Sequence, residues 1–313
     1  MSLAELRAAY RSGTLDKQAF IAAAYEVHAL LFDYADLLAD TEIGAIEISD
    51  GAVTMTVRDT TMRVTCARQD RRTAPIEALN FGAYEPAELA MVLSLVEPGA
   101  TVYDIGANVG WYSLRIATTF PDVTVLAFEP VPATFATLAA NIAANACANV
   151  TAHNLGFSDH NGTASFFVDA SLAVNASLAD HSTGAGPGSG SGSEEVTCTI
   201  RRLDDFVADT VGGVDLIKCD VEGAELLVFR GGLSTIRHHR PAIVAEMLRK
   251  WSAPFGYHPN EIIELLADVG YRCFSFRDGG LAEFLTMDDS TVDTNFVFLH
   301  AERHAGHIER SLL

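Results

Sequence analysis

Positive charge is scarce in this 313-residue chain: 21 lysines and arginines face 41 aspartates and glutamates, a formal charge of −20. Such a chain repels nucleic acid phosphates unless a local basic patch intervenes. The two candidate patches, Arg68 with Arg71 and Arg72, and the pair Arg201-Arg202, read as ordinary solvated arginines. Nucleic acid is therefore not an expected partner. Cysteine motifs are missing too. Cys66, Cys147, Cys198, Cys219 and Cys273 are scattered, odd in number and without Cys-x-x-Cys or zinc spacing. Reduced thiols in a cytoplasmic protein are expected, packed as small apolar groups. No apolar run approaches the ~20 residues that span a bilayer, so no membrane insertion is expected. The chain opens without a signal-peptide pattern.

A dinucleotide glycine fingerprint is also absent. The stretch Val102-Tyr-Asp-Ile-Gly-Ala-Asn-Val-Gly-Trp-Tyr-Ser113 runs from a β-favouring segment through a glycine turn into a helical pattern. Counting Gly-x-Gly-x-x-Gly from Gly106 gives Gly106, Asn108 and Trp111, so NAD is disfavoured. What stands there is Asp104-x-Gly106-x-Asn108-x-Gly110. Glu129 ends the next strand about twenty residues on, where a carboxylate meets ribose hydroxyls. The pattern reads as a nucleoside site without a pyrophosphate. S-adenosyl-L-methionine fits, its amino-acid end on Asp104 and the glycine-turn backbone, its ribose on Glu129. A tight strand-to-helix turn with no ligand is the competing reading.

With 49% apolar and 20% charged residues the chain has ample material for a core. Residues 1–75 carry helical periodicity (3–11 and about 16–40) and then three β segments with Asp50-Gly51 and Asp59-Thr60 at the turns. This extension shows no catalytic constellation; core extension, a dimerisation arm or a lid are its possible roles. Residues 76–313 alternate strand and helix, which predicts an α/β fold with a doubly wound, mostly parallel, seven-stranded sheet. The turn Asn80 to Pro86 brings Phe81 and Tyr84 one helix upstream of the glycine loop. Residues 183–193 are a low-complexity Gly/Ser segment, expected to be a flexible loop flanked by a β-ribbon. A substrate lid and a plain surface loop are equally open for it.

Acids gather at three expected strand ends: Asp104, Asp220 with Glu222, and Glu246. Leu216, Lys218 and Asp220 share one strand face, so a core lysine should have a carboxylate partner or a depressed pKa. Glu222 and Glu225 are expected in the first turn of the following helix. Methyl transfer from a sulfonium to an alcohol needs alignment and a general base, and Asp220, Glu222 and Lys218 are the unranked candidates. The acids also suit Mg²⁺, but no His joins them, and no metal is expected. No Asn/Asp-Pro-Pro-Tyr follows the fourth strand, which argues against base methylation.

Asp104 to Ser113, Phe128-Glu-Pro130, Leu203-Asp-Asp205 and Ile217-Lys-Cys-Asp-Val-Glu-Gly-Ala-Glu225, in this order, resemble the FkbM-type family of S-adenosylmethionine-dependent methyltransferases. The resemblance covers roughly residues 80–300 and implies a class I, Rossmann-like methyltransferase domain. By it, Asp104, Gly106, Ala107, Asn108 and Gly110 line the methionine end, with Tyr112 and Ser113 following in the same motif. Glu129 and Pro130 lie at the ribose, Ser158 and Asp159 near the adenine, with Asn154 in the same rim segment. Asp220 and Glu222 face the methyl group and the acceptor. Cys219 departs mildly from an aliphatic position. The implied activity is O-methylation of a sugar, glycolipid or natural-product hydroxyl. A carboxyl or N-methyltransferase, or a cofactor-binding protein without turnover, are the alternatives, and a homodimer is possible.

Overall fold

The computed structural model describes residues 1–66, 74–169, 176–177, 193–210, 212–277 and 279–312. Its strands are β1 (Ile43–Ser49), β2 (Ala52–Val57), β3 (Arg63–Cys66), β4 (Thr101–Ile105), β5 (Thr124–Phe128), β6 (Val150–His153), β7 (Gly156–Phe157) and β8 (Gly162–Asp169). They continue with β9 (Ala176–Ser177), β10 (Ser193–Arg201), β11 (Leu216–Cys219), β12 (Ala242–Glu246), β13 (Tyr271–Arg277), β14 (Gly280–Glu283) and β15 (Asn295–His300). The helices are α1 (Leu3–Arg11), α2 (Lys17–Leu37), α3 (Ile76–Phe81), α4 (Pro86–Ser94), α5 (Trp111–Thr119) and α6 (Pro132–Ala144). After them come α7 (Leu203–Ala208), α8 (Glu225–Gly231), α9 (Leu233–His239), α10 (Arg249–Ser252), α11 (Asn260–Ala267) and α12 (Ala305–Ser311).

The main sheet has the order β14-β13-β15-β12-β11-β4-β5-β6. From β12 to β6 every pairing is parallel, and β15 runs antiparallel between β12 and β13. This is the expected doubly wound α/β sheet with one strand more than the seven predicted. The addition is β14, which returns antiparallel on β13 just after the Gly279-Gly280 turn. Successive side chains alternate between two apolar layers, as the strand period requires. Val102, Val125, Leu216 and Val244 pack with α4 and α5; Tyr103, Phe128, Ile217 and Ile243 pack with α7, α8 and α11. The chain order reverses between β4 and β11, the switch point beyond which open α/β sheets bind ligands.

The N-terminal segment forms a helical hairpin and the antiparallel meander β1-β2-β3. Asp16 caps α2 by accepting from the Gln18 and Ala19 N–H groups. Ile43, Met55, Val57, Met62 and Val64 share one apolar cluster with α4 and α5, so the core runs without a break across residue 75. The amides of α6 dock the outer strand. Thr65 N–H donates to Asn141 Oδ1 at 3.0 Å, and Asn141 Nδ2 donates to the Val109 carbonyl at 2.8 Å. One buried side chain thus ties the meander to the glycine turn. β8 and β10 pair antiparallel as the expected ribbon. Of the Gly/Ser segment, only Ser193 falls within the described residues, at the start of β10; Arg68, Arg71 and Arg72 also lie outside them.

Candidate active site

A cleft opens beyond the carboxyl ends of β4, β5, β11 and β12, and the expected turn is its floor. Gly106 has φ of +82°, and a Cβ there would sit 1.8 Å from the Asp220 carbonyl oxygen. Only glycine allows the β4 loop to cross the end of β11 so closely. Gly110, with φ of +93°, lies against Leu138 of α6 and lets α5 pack down. Four N–H groups of the turn are already taken: Gly106 and Ala107 donate to the Phe128 carbonyl, Asn108 donates to Glu129 Oε2 at 3.1 Å, and Gly110 donates to the Ala107 carbonyl at 2.8 Å. The glycines therefore serve backbone crossing first and leave less of the turn for a ligand than the sequence implied.

Glu129 is held at the rim by that bond and by the Val131 N–H on Oε1 at 2.9 Å. Burial raises its pKa to about 7 against the two bonds that favour the ionised form. Asn154 donates to the carbonyls of Glu129 and Pro130, so it shapes the loop without lining the cleft. Ser158 is buried, and its carbonyl lies 2.0 Å from where a Gly231 Cβ would be, which fixes the Ser158-Asp159 turn against the end of α8. Neither Ser158 nor Asp159 lines the cleft.

Lys218 and Asp104 are cross-strand neighbours in the β11–β4 ladder. Lys218 Nζ bonds Asp220 at 3.0 Å and lies 4.7 Å from the Tyr112 ring centre. Burial lowers its pKa, but Asp220, Asp104 and Glu85 outweigh burial and leave it raised. Of the two outcomes expected for a core lysine, the carboxylate partner is the one found, and Lys218 is a fixed cation. Asp104 is fully buried behind the cleft. Its Oδ2 accepts from Ser113 at 2.6 Å, and burial raises its pKa.

Glu222 is not in a helical turn. It precedes α8 with φ of +53°, beside Gly223, whose Cβ would meet the Trp251 carbonyl at 2.2 Å. Glu225, the first residue of α8, accepts from the Val221 and Gly223 N–H groups and braces this loop, together with the Tyr257 hydroxyl. Burial and then the charges of Asp220 and Glu225 raise Glu222 to about 8. Glu246, which ends β12, is raised to about 10 by burial, Asp220 and Glu222. A protonated Glu246 beside Asp220 is the consistent arrangement at neutral pH.

Tyr84, Gly106, Ala107, Asn108, Tyr112, Glu129, Pro130, Lys218, Asp220 and Glu222 thus meet in one cleft. Asp104, Gly110, Ser113, Asn154, Ser158 and Asp159 stand behind it or at its supports, and Phe81 points away, 76% exposed. Sequence reasoning passed over Glu77, Glu85, Trp111 and Phe166, all of which line the cleft, and left Glu246 out of the site. Glu85 precedes Pro86, which disfavours the right-handed helical region; it adopts φ 45° and ψ 52° and accepts from the Tyr112 hydroxyl at 2.5 Å. Glu85, Asn108 and Glu222 are three of the seven non-glycine residues at positive φ among those described, a concentration expected of a functional site. The turn that carries Tyr84 is anchored by the extension, through Tyr84 N–H to Glu42 Oε1 at 2.6 Å.

Two polar atoms at the cleft have no hydrogen-bond partner among the described residues, Asn108 Oδ1 and Trp111 Nε1, and Asp104 Oδ1 behind them is a third. An acceptor pair and a donor left open together suit a ligand carrying both an ammonium and a carboxylate. No three described His, Cys, Asp or Glu side chains are arranged to hold a metal ion.

The FkbM methyltransferase domain matches residues 104–273, more than half of the chain. The chain belongs to the FkbM methyltransferase family. It is 31% identical over 142 residues to Methyltransferase 1 of Beauveria bassiana, a match covering 42% of this chain and 57% of that one. It is 30% identical over 158 residues to the 31-O-demethyl-FK506 methyltransferase FkbM of Streptomyces tacrolimicus, covering 44% and 60%. Among solved structures, a methyltransferase FkbM from Methylobacillus flagellatus KT aligns with a TM-score of 0.41 at 16% identity, over 70% of this chain and 52% of that one. The chain therefore spans little more than half the length of these relatives. No helix among the described residues is long and apolar enough to cross a membrane.

Proposed function

We propose that this methyltransferase uses S-adenosyl-L-methionine to methylate a hydroxyl of a small-molecule or glycan acceptor. The observation that carries this reading is the set of open polar atoms at Asn108 and Trp111, next to Glu129 and facing the Lys218–Asp220 pair. Glu129 takes the ribose hydroxyls. Asn108, backed by the buried Asp104, takes the ammonium of the amino-acid end, and the Trp111 N–H takes its carboxylate. Bound there, the cofactor supplies an electrophilic methyl group. Lys218 does not act as a base, because the surrounding carboxylates hold its proton; its bond to Asp220 orients that carboxylate. One of the two carboxylates Asp220 and Glu222 receives the single proton of the acceptor hydroxyl. Glu222, raised by burial, moves toward its ionised form when a cation is held beside it, which is the form a base requires.

The 31-O-demethyl-FK506 relative is named for a hydroxyl acceptor, which favours an ether product here over an ester or amine. The test is incubation with methyl-labelled cofactor and a panel of alcohols, carboxylic acids and amines. Label in a product stable to alkali, formed only with alcohols, is expected. Alkali-labile label, or label on amines alone, would replace this reading by carboxyl or N-methylation.

A further inference from the structure

Of the 14 large apolar side chains found exposed among the described residues, 10 fall within residues 1–48, far from the cleft chemistry. The cause is α2. Over 21 residues it buries only Ala24, while seven of its large apolar side chains are between 43% (Leu37) and 68% (Phe32) exposed. A helix that is apolar around most of its circumference belongs under cover. Ile21, Tyr25 and Phe32 fall on one ridge, at i, i+4 and i+11. Leu31, Tyr34 and Leu38 fall on another face, where with Ile46, Val53 and Leu79 they line a groove of about 720 Å³ between α2, the meander and α3. Among the described residues no charged side chain lines that groove. Of the acids of α2, Glu26 and Asp33 lie apart from the ridge at i and i+7, while Asp36 follows Phe32 at i+4 and Lys17 precedes Ile21 at i−4, so charge marks only the two ends of the ridge.

We propose that this face is covered by the same face of a second copy of the chain, related by a two-fold axis, the ridge of each α2 seated in the other's groove. Charge selects the occupant. Two chains of −20 repel wherever carboxylates oppose one another, and a groove without charge among the described residues, beside a ridge charged only at its ends, is where they approach with the least of that penalty. The three acids of α2, Glu26, Asp33 and Asp36, against its single lysine, Lys17, oppose an anionic lipid surface, which interfacial helices meet with a basic face. Area agrees. At roughly 100 Å² each, about half of a large side chain, the seven α2 side chains and Ile48 offer about 800 Å², the share one partner gives to a standard interface. With the ridge of each copy in the groove of the other, the contact has the self-complementarity that a two-fold axis demands.

The test is sedimentation equilibrium of the full chain. The wild type is expected at twice its 33.5 kDa mass up to about 100 µM. The double variant Leu31→Glu, Phe32→Glu is expected as a monomer with unchanged circular dichroism and unchanged affinity for S-adenosylhomocysteine. Should that variant not fold, Ile48→Lys, on an exposed strand position, makes the same test. A wild-type monomer at about 100 µM, or a dimer that persists in these folded variants, overturns the proposal. Co-sedimentation of wild type with phosphatidylcholine or phosphatidylserine vesicles would make lipid the occupant and overturn it as well.

Discussion

Two concavities share α3 as a wall. Glu77 faces a cleft that six carboxyl groups share with Lys218, whereas Ile76 and Leu79 face a groove lined, among the described residues, without a charge. Burying carboxyl groups around one lysine works against folding, since each must be desolvated and most are raised by it. The fold nevertheless braces them, with Glu225 under the Glu222 loop and Asn154 under the Glu129 loop. The groove is the opposite case: it lowers the free energy of whatever covers it and needs no bracing. Held polar strain marks the place of chemistry, and an unfinished apolar layer marks the place of association.

The difference breaks most severely at Lys218. Lys218→Met leaves Asp104 and Asp220 without their cation and is expected to destabilise the fold by about 3–5 kcal/mol in urea titration. Phe32→Glu, on the exposed ridge, is expected to stay within about 0.5 kcal/mol of wild type for the protomer. Equal effects would mean that the two regions are not built differently. Next in size is Gly106→Ala, whose Cβ has no room beside the Asp220 carbonyl at positive φ. It should cost about 3 kcal/mol or more in the same titration and abolish cofactor binding.

Much of this was legible in the chain itself. The alternation after residue 100 predicts the sheet, and the β-favouring flanks of the Gly/Ser segment predict the ribbon, because period is local. Glu129 is readable from its distance to Gly106. Glu85, Trp111 and Phe166 are not, because each reaches the cleft from an element whose position depends on packing: a left-handed residue before a proline, a helix start tilted by Gly110, and a ribbon folded over the rim. The sequence also misplaces Glu222 in a helix, since the Glu222-Gly223 turn arises from the approach of the Trp251 carbonyl. The exposure of α2 is equally invisible, because its periodicity states that it is apolar and not what it meets.

Smaller effects sharpen the contrast through pH. Glu246 carries its proton to about pH 10 in the folded chain, against an ordinary value of 4.5. It holds that proton more tightly folded than unfolded, so its stabilisation is full below pH 4.5 and is lost as pH rises toward 10. Glu246→Gln removes this loss. Its melting temperature should lie close to wild type near pH 5 and clearly exceed it near pH 9. A variant that melts lower at both pH values would contradict the raised pKa.

The central claim is that the charged cleft, with Glu129 at its rim, holds the cofactor. Calorimetric titration of S-adenosylhomocysteine into wild type and Glu129→Gln, at pH 6 and pH 8, tests it most directly. With Glu129 titrating at about 7, the ionised acceptor becomes available across this range, and wild-type affinity should rise about tenfold. The Gln variant should bind at least about tenfold more weakly at pH 8 and show no such rise. Equal, pH-independent binding by both proteins, or none by wild type, would contradict the account and take the cofactor out of this cleft.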